Sequence, residues 1–260
     1  MQSAVRVQMD AMTKPNWRAG ACEVLTAPIV ILVGHFGSGK SEIAINLALG
    51  FAARGDDVSL VDLDVVKPYF RCRAAREEVE AKGIHLIVPD GDRFYADLPI
   101  IVPEVKGVLT RSLGAHGRVI VDAGGDDTGA RALGSLMDAI DPERSEMLFV
   151  VNTRRPFAED QAALVAMLRD IETAARRRVT GLVANTHLIE ETTPEVVREG
   201  FAAALTLAAT TGIPVRFCAV LKRMVGALTG TDVPILSIER YLLPPEAPGM
   251  TGRRRRFAGV

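Results

Sequence analysis

The stretch IVILVGHFGSGKSEIAINLAL, which begins at Ile29, constrains this chain more than any other. An apolar run, Ile29–Val33, enters a glycine-rich turn, and the turn enters a helix-forming segment. Within the turn, Gly34, His35, Phe36, Gly37, Ser38, Gly39, Lys40 and Ser41 fit the pattern G-x-x-x-x-G-K-[ST]. Glycines let successive backbone N–H groups face phosphate oxygens with no side chain in the way. The helix that follows adds the positive end of its dipole. Lys40 is expected on the β- and γ-phosphates and the Ser41 hydroxyl on Mg²⁺, with Glu42 in the same nucleotide-contacting stretch.

Such a loop needs a sheet behind it, and the rest of the chain reads as one. The segments VSLVDLD, IHLIVP, RVIVDAGG, EMLFVVNT, VTGLVANT and PVRFCAVL are apolar strands, with VPILSI as an edge strand. Helical segments fall between them: from Ser41 to about Ala53 as an amphipathic helix, in FRCRAAREEVEAKG, around 104–112, in DTGARALGSLMDAI, from about 156 to 176, and in TPEVVREGFAAALTLAATTG. Hydrophobic residues make up 48% of the 260 residues and aromatics only 5%, so Val, Ile, Leu and Ala must fill the core, as buried parallel strands prefer. The expectation is a doubly wound, mostly parallel sheet with helices on both faces, the three-layer α/β/α P-loop NTPase fold. One domain spans 28–243; residues 1–27 read as a flexible extension and 244–260, with its RRRR run, as a disordered basic tail.

Two strand ends carry the carboxylates that phosphoryl chemistry needs. RVIVDAGG ends in Asp122, with Gly125 three residues on. Asp122 suits Mg²⁺, through a water, and the Gly125 N–H suits the γ-phosphate, so that this loop senses hydrolysis. VSLVDLD supplies Asp62 and Asp64: Asp64 to position the attacking water or take an acceptor's proton, Asp62 to support the metal. Asp126 and Asp127 read as caps for the next helix.

These three motifs together resemble the nucleotide-binding domain shared by MinD, ParA, NifH and CobQ/CobB-type proteins. The resemblance covers roughly residues 29–220, although only the motifs quoted are specific. It implies Asp64 as the water-positioning acid of switch I, Asp122 and Gly125 as metal acid and switch II, and the phosphate-loop strand beside the Asp122 strand. The signature lysine that family ATPases use across a sandwich dimer is absent: His35 stands there, followed by Phe36. That leaves a homodimer open. In the same family an Asn at the position of Asn185, in GLVANTHL, reads the base edge, and its amide matches adenine. A guanine site would need an acid at Leu188, so ATP is expected over GTP. His187 reads as a loop or core histidine. Arg154 with Arg155, and Arg71 with Arg73, suit either a phosphate clamp or a partner's acidic surface, and Lys67 lies in the same switch segment.

Net charge is −1, which gives no global attraction to nucleic acid, and no apolar run is long enough for a membrane span. Cys22, Cys72 and Cys218 form no paired motif and read as reduced thiols of a cytoplasmic protein. The expected function is a Mg²⁺-dependent ATP switch that binds ATP and ADP and couples hydrolysis to an unidentified protein partner, such as a metalloenzyme or redox enzyme under assembly. The alternatives are a kinase for a small molecule or polynucleotide, and a partitioning or positioning ATPase.

Overall fold

The computed structural model describes residues 17–63, 72–88, 103–110, 113–125, 127–156, 158, 160–228 and 231–242, without the side chains of 17–19 and 127–128. The first strand, β1 (Ile29–Val33), shows why the sheet is buried on both faces. Its Val30 and Leu32 join one apolar cluster with Ile43, Leu47 and Phe51. Its Ile29, Ile31 and Val33 join another with Val105, Leu133 and Leu164. Side chains alternate across a strand, so an unbroken apolar run fills two layers at once.

Seven strands join it: β2 (Asp57–Asp62), β3 (His85–Ile87), β4 (Gly117–Asp122), β5 (Ser145–Val151), β6 (Gly181–Ala184), β7 (Val215–Leu221) and β8 (Ile235–Ile238). Their order is β3-β2-β4-β1-β5-β6-β7-β8, and every neighbouring pair is parallel. The sheet is therefore doubly wound about β1, with β8 as the expected edge strand. The strand carrying Asp122 lies beside β1, with Leu32 opposite Asp122. The chain leaves β1 toward β2 on one side and reaches β5 on the other, so the carboxyl ends of β1, β4 and β5 frame the crevice where ligands bind in such sheets.

The helices are α1 (Trp17–Val24), α2 (Lys40–Ala52), α3 (Arg76–Glu80), α4 (Pro103–Thr110), α5 (Asp127–Leu136), α6 (Gln161–Ala175) and α7 (Pro194–Thr211). Helix α6 starts later than the sequence suggests, because the Asp160 side chain accepts the Ala163 N–H at 2.7 Å and caps it there. Among the described residues no helix is long and apolar enough to cross a membrane.

Two expectations need correction. The stretch taken as a flexible extension contains α1, whose Ala21 and Cys22, with the following Leu25, are buried in the α2 cluster. Small side chains there let α1 lie close on α2 and β8, so residues 17–27 are part of the domain. In turn α2 is not amphipathic: Ile43 through Phe51 are all buried. One cover is α1; the other is the chain after β8, whose Glu239 backbone is held on both sides by Asn46, with N–H to Oδ1 at 3.0 Å and Nδ2 to the carbonyl at 2.9 Å. Residues 1–16 and the basic tail from 244 lie outside the described residues.

Candidate phosphate-binding site

The turn after β1 takes its shape from three left-handed glycines: Gly34 at φ 142°, Gly37 at 73° and Gly39 at 95°. Only glycine holds such angles without strain. Space enforces the same choice, since a Cβ on Gly34 would lie 2.7 Å from the Val150 carbonyl oxygen and one on Gly39 only 2.3 Å from Asn185 Nδ2. Lys40 is buried, and its Nζ donates to the carbonyls of Gly34 and His35, each at 3.1 Å. Ser38 donates its N–H to His35 O at 3.1 Å, while its buried Oγ has no hydrogen-bond partner among the described residues. Phe36 stands at the tip, half exposed.

Two side chains from the far half of the sheet grip this turn, and a third faces it. Asn185, just past β6, donates from Nδ2 to Ser38 O at 2.7 Å. Arg155, past β5, donates from Nε to Gly37 O at 2.7 Å. His187 accepts the Ile189 N–H on Nδ1 at 3.3 Å, which leaves Nε2 as the protonated nitrogen, facing Gly39. Burial first, then the charges of Arg155 and Arg240, push the His187 pKa down to about 4, so the ring is neutral. Asn152 joins this group, its Oδ1 accepting the backbone N–H of Arg154 and of His187. By contrast Arg154 reaches away to pair with Glu199 on the surface.

On the other side of the loop the two acidic strand ends meet. Asp62 and Asp122 are register partners across β2 and β4, and both are buried. Burial, then the Asp62 charge, raise the Asp122 pKa to about 7 against the opposing pull of Lys40, Ser41 and Cys72. The Arg73 Nε lies 3.5 Å from Asp62 Oδ2 and supplies a countercharge. Cys72, fully buried, donates to Asp122 Oδ2 at 3.3 Å and to the Ser41 carbonyl at 3.8 Å. Asp122 Oδ1 has no hydrogen-bond partner among the described residues. The oxygens of Ser41, Asp62 and Asp122 suit Mg²⁺, a hard cation that takes one or two carboxylates and completes its shell from phosphates and water. Among the described residues no three His, Cys, Asp or Glu form a group that could hold a metal ion.

Gly125 touches the loop directly. A Cβ there would lie 2.6 Å from the Phe36 nitrogen and 2.7 Å from Lys40 Nζ. The remaining sequence-derived candidates in this region, Asp64, Lys67, Arg71 and Asp126, lie outside the described residues.

A cavity opens beside the loop along the ends of β6, β7 and β8, bounded by Glu42, Asn185, His187, Leu221, Ile238 and Arg240. Glu42 shapes its wall. Its Oε1 accepts the backbone N–H groups of Tyr241 at 2.8 Å and Leu242 at 3.0 Å, and burial raises its pKa against those bonds. The sequence offered Asn185 but no sign that it, Arg155, His187 and Asn152 form one unit. Their shared position, one to four residues beyond an apolar strand, was the only available signal.

No family model and no curated protein matches this chain. Similar solved structures include the cell division protein FtsY of Thermotoga maritima, at 22% identity and a TM-score of 0.50 over 77% of this chain and 67% of that one. Others are the signal recognition particle 54 kDa protein of Aeropyrum pernix in complex with GDP (26%, 0.47, 74% of this chain and 41% of that one) and a nucleotide-binding protein of Archaeoglobus fulgidus in complex with ADP (18%, 0.46, 80% and 87%). The likeness to FtsY shows the fold: an α/β P-loop NTPase-like sheet with helices on both faces, as the sequence pattern predicts.

Proposed function

We propose that this protein binds ATP with Mg²⁺, hydrolyses it, and passes the nucleotide state to a protein partner. The observation that carries this reading is the contact of Gly125 with Lys40 and Phe36. It sets the segment after β4 against the part of the phosphate loop that faces a terminal phosphate, so one N–H can register whether that phosphate is present.

The chain's groups then divide the work. Phosphate oxygens draw Lys40 Nζ away from the carbonyls of Gly34 and His35, exchanging neutral acceptors for charged ones. The left-handed turn and the start of α2 supply backbone donors. Ser41 and Asp122, with Asp62 behind them, would hold Mg²⁺, whose charge offsets that of the phosphates. Asp64 is assigned to orienting the attacking water, on the strength of its place in VSLVDLD. Loss of the γ-phosphate removes the acceptor of the Gly125 N–H and frees that segment to move.

The base is assigned to the cavity beside the loop, which Asn185 lines. One N–H of Asn185 is taken by Ser38 O, which leaves its other N–H and its Oδ1 for a base edge. Leu188, where a guanine site would want a carboxylate, favours adenine. Calorimetry with ATP, GTP and ADP, with and without Mg²⁺, tests the reading. Tight Mg²⁺-dependent ATP binding that vanishes in Lys40→Ala supports it, and unchanged affinity in that variant removes the loop from the site. Phosphate release should be slow for the protein alone; rapid transfer to a metabolite or a 5′-hydroxyl oligonucleotide would make it a kinase instead.

A further inference from the structure

We infer that Ile189 is a specificity-determining residue of the nucleotide site: its backbone is held in a left-handed conformation so that its branched side chain forms an apolar wall against the face of the base. The inference rests on the reading that the cavity beside the phosphate loop takes the base.

Ile189 has φ 57°, inside the region that side chains branched at Cβ avoid. Among the described residues the only other non-glycine with positive φ is Arg176, which closes α6, where such a conformation is routine. Ile189 closes no such helix. It opens a short turn, Ile189–Glu191, directly after Leu188.

This turn is fastened from several sides. The Ile189 N–H donates to His187 Nδ1 at 3.3 Å, and its carbonyl accepts from Thr192 Oγ1 at 2.7 Å and from Arg223 Nη2 at 3.1 Å. Thr192 Oγ1 in turn accepts the Leu188 N–H at 3.0 Å. Glu190 pairs with Arg223 and Arg240. Strain persists only where the surroundings over-determine it, and these bonds do so. None of them uses the Ile189 side chain, and glycine would make every one without strain. A turn alone would be better served by glycine, so the strain is accounted for by what the side chain does.

That side chain lines the cavity with Asn185, His187, Leu221 and Ile238, and Ile189 remains 40% exposed although large and apolar. A base has polar edges and apolar faces. Asn185 keeps one N–H and its Oδ1 for an edge. A branched aliphatic group matches a face, and contact removes apolar surface of both from water.

Calorimetry with ATP and with tripolyphosphate, which lacks base and sugar, tests this on wild type, Ile189→Ala and Ile189→Gly, beside melting curves of the free proteins. Both variants should bind Mg²⁺–ATP about tenfold more weakly and Mg²⁺–tripolyphosphate within about twofold of wild type. Ile189→Gly should melt about 2–4 °C above Ile189→Ala, because glycine alone relieves the backbone. A residue that only shaped the turn would lower both affinities together, or neither. Either result, or a glycine variant no more stable than the alanine one, would overturn the proposal. Wild type that binds ATP more tightly than tripolyphosphate, with that advantage intact in both variants, refutes Ile189 alone. Equal binding of the two by wild type refutes the base cavity, and binding of neither refutes the nucleotide site.

Discussion

Asn185 Nδ2 donates to Ser38 O at 2.7 Å, which ties the end of β6 to the phosphate loop across 147 positions of sequence. Both residues are buried, so the carbonyl has no ready replacement from water. Replacing Asn185 by Ala should cost about 1–3 kcal/mol through the stranded acceptor and lower nucleotide affinity by about tenfold or more. Asn185→Asp should lose more, since a carboxylate faces the carbonyl. Equal calorimetric affinities for wild type and both variants would show that the loop keeps its shape without this bond.

Arg154 and Arg155 are neighbours with opposite expectations. Arg155 holds the Gly37 carbonyl, so Arg155→Ala should weaken nucleotide binding by about tenfold, in line with a charged hydrogen bond of about 1.5–3 kcal/mol. Arg154 pairs with Glu199 at the surface, and Arg154→Ala should change stability and affinity by less than about 0.5 kcal/mol. Parallel titrations of the two variants decide whether the contrast holds.

Gly125→Ala would drive a Cβ to 2.6 Å from the Phe36 nitrogen, a backbone atom that cannot swing aside. Hydrolysis should fall more than about tenfold while diphosphate binding stays within about threefold, because the diphosphate does not use this contact. Single-turnover phosphate release beside ADP calorimetry provides the check. Equal losses in both would place the damage in the loop as a whole.

The Asp62–Asp122 pair makes stability depend on pH. Asp122 has a folded pKa of about 7, above its ordinary 3.8, so the folded state retains a proton that the unfolded chain releases. The pair therefore costs nothing below the ordinary value. Its penalty builds as pH rises from about 4 to 7 and is complete above that. Metal-free Asp122→Asn should be more stable than wild type at pH 8, by roughly 1–3 kcal/mol, with little difference at pH 3.5; Asp62→Asn should give a smaller gain of the same sign. Mg²⁺ affinity should rise through pH 7 in wild type, since the cation needs the ionised carboxylate. Melting curves at the two pH values test the sign.

Much of the candidate site's geometry was legible because it is local. Gly34, Gly39, Lys40 and Ser41 sit within one turn, where spacing alone dictates backbone shape and donor direction. Asp122 and Gly125 were legible for the same reason, as strand end and loop. The cysteines were read only as reduced thiols, and nothing in the spacing of Cys72 links it to Asp122, 50 positions later. His187 was read as a bland loop residue because its neutrality comes from burial and from Arg155 and Arg240, which are remote in sequence.

By itself the sequence determined the strand–helix alternation, the doubly wound class, the loop and the two acidic strand ends, since each follows from covalent geometry and hydrophobic period within some twenty residues. Only the tertiary structure decided that α1 belongs to the core, that α2 is buried almost all round, and that Asn185 and Arg155 hold the loop while Cys72 meets Asp122. Those relations depend on which strand ends the crossovers bring side by side. A parallel sheet gathers its carboxyl ends at one edge, and the residues just beyond them become neighbours however far apart they lie in the chain.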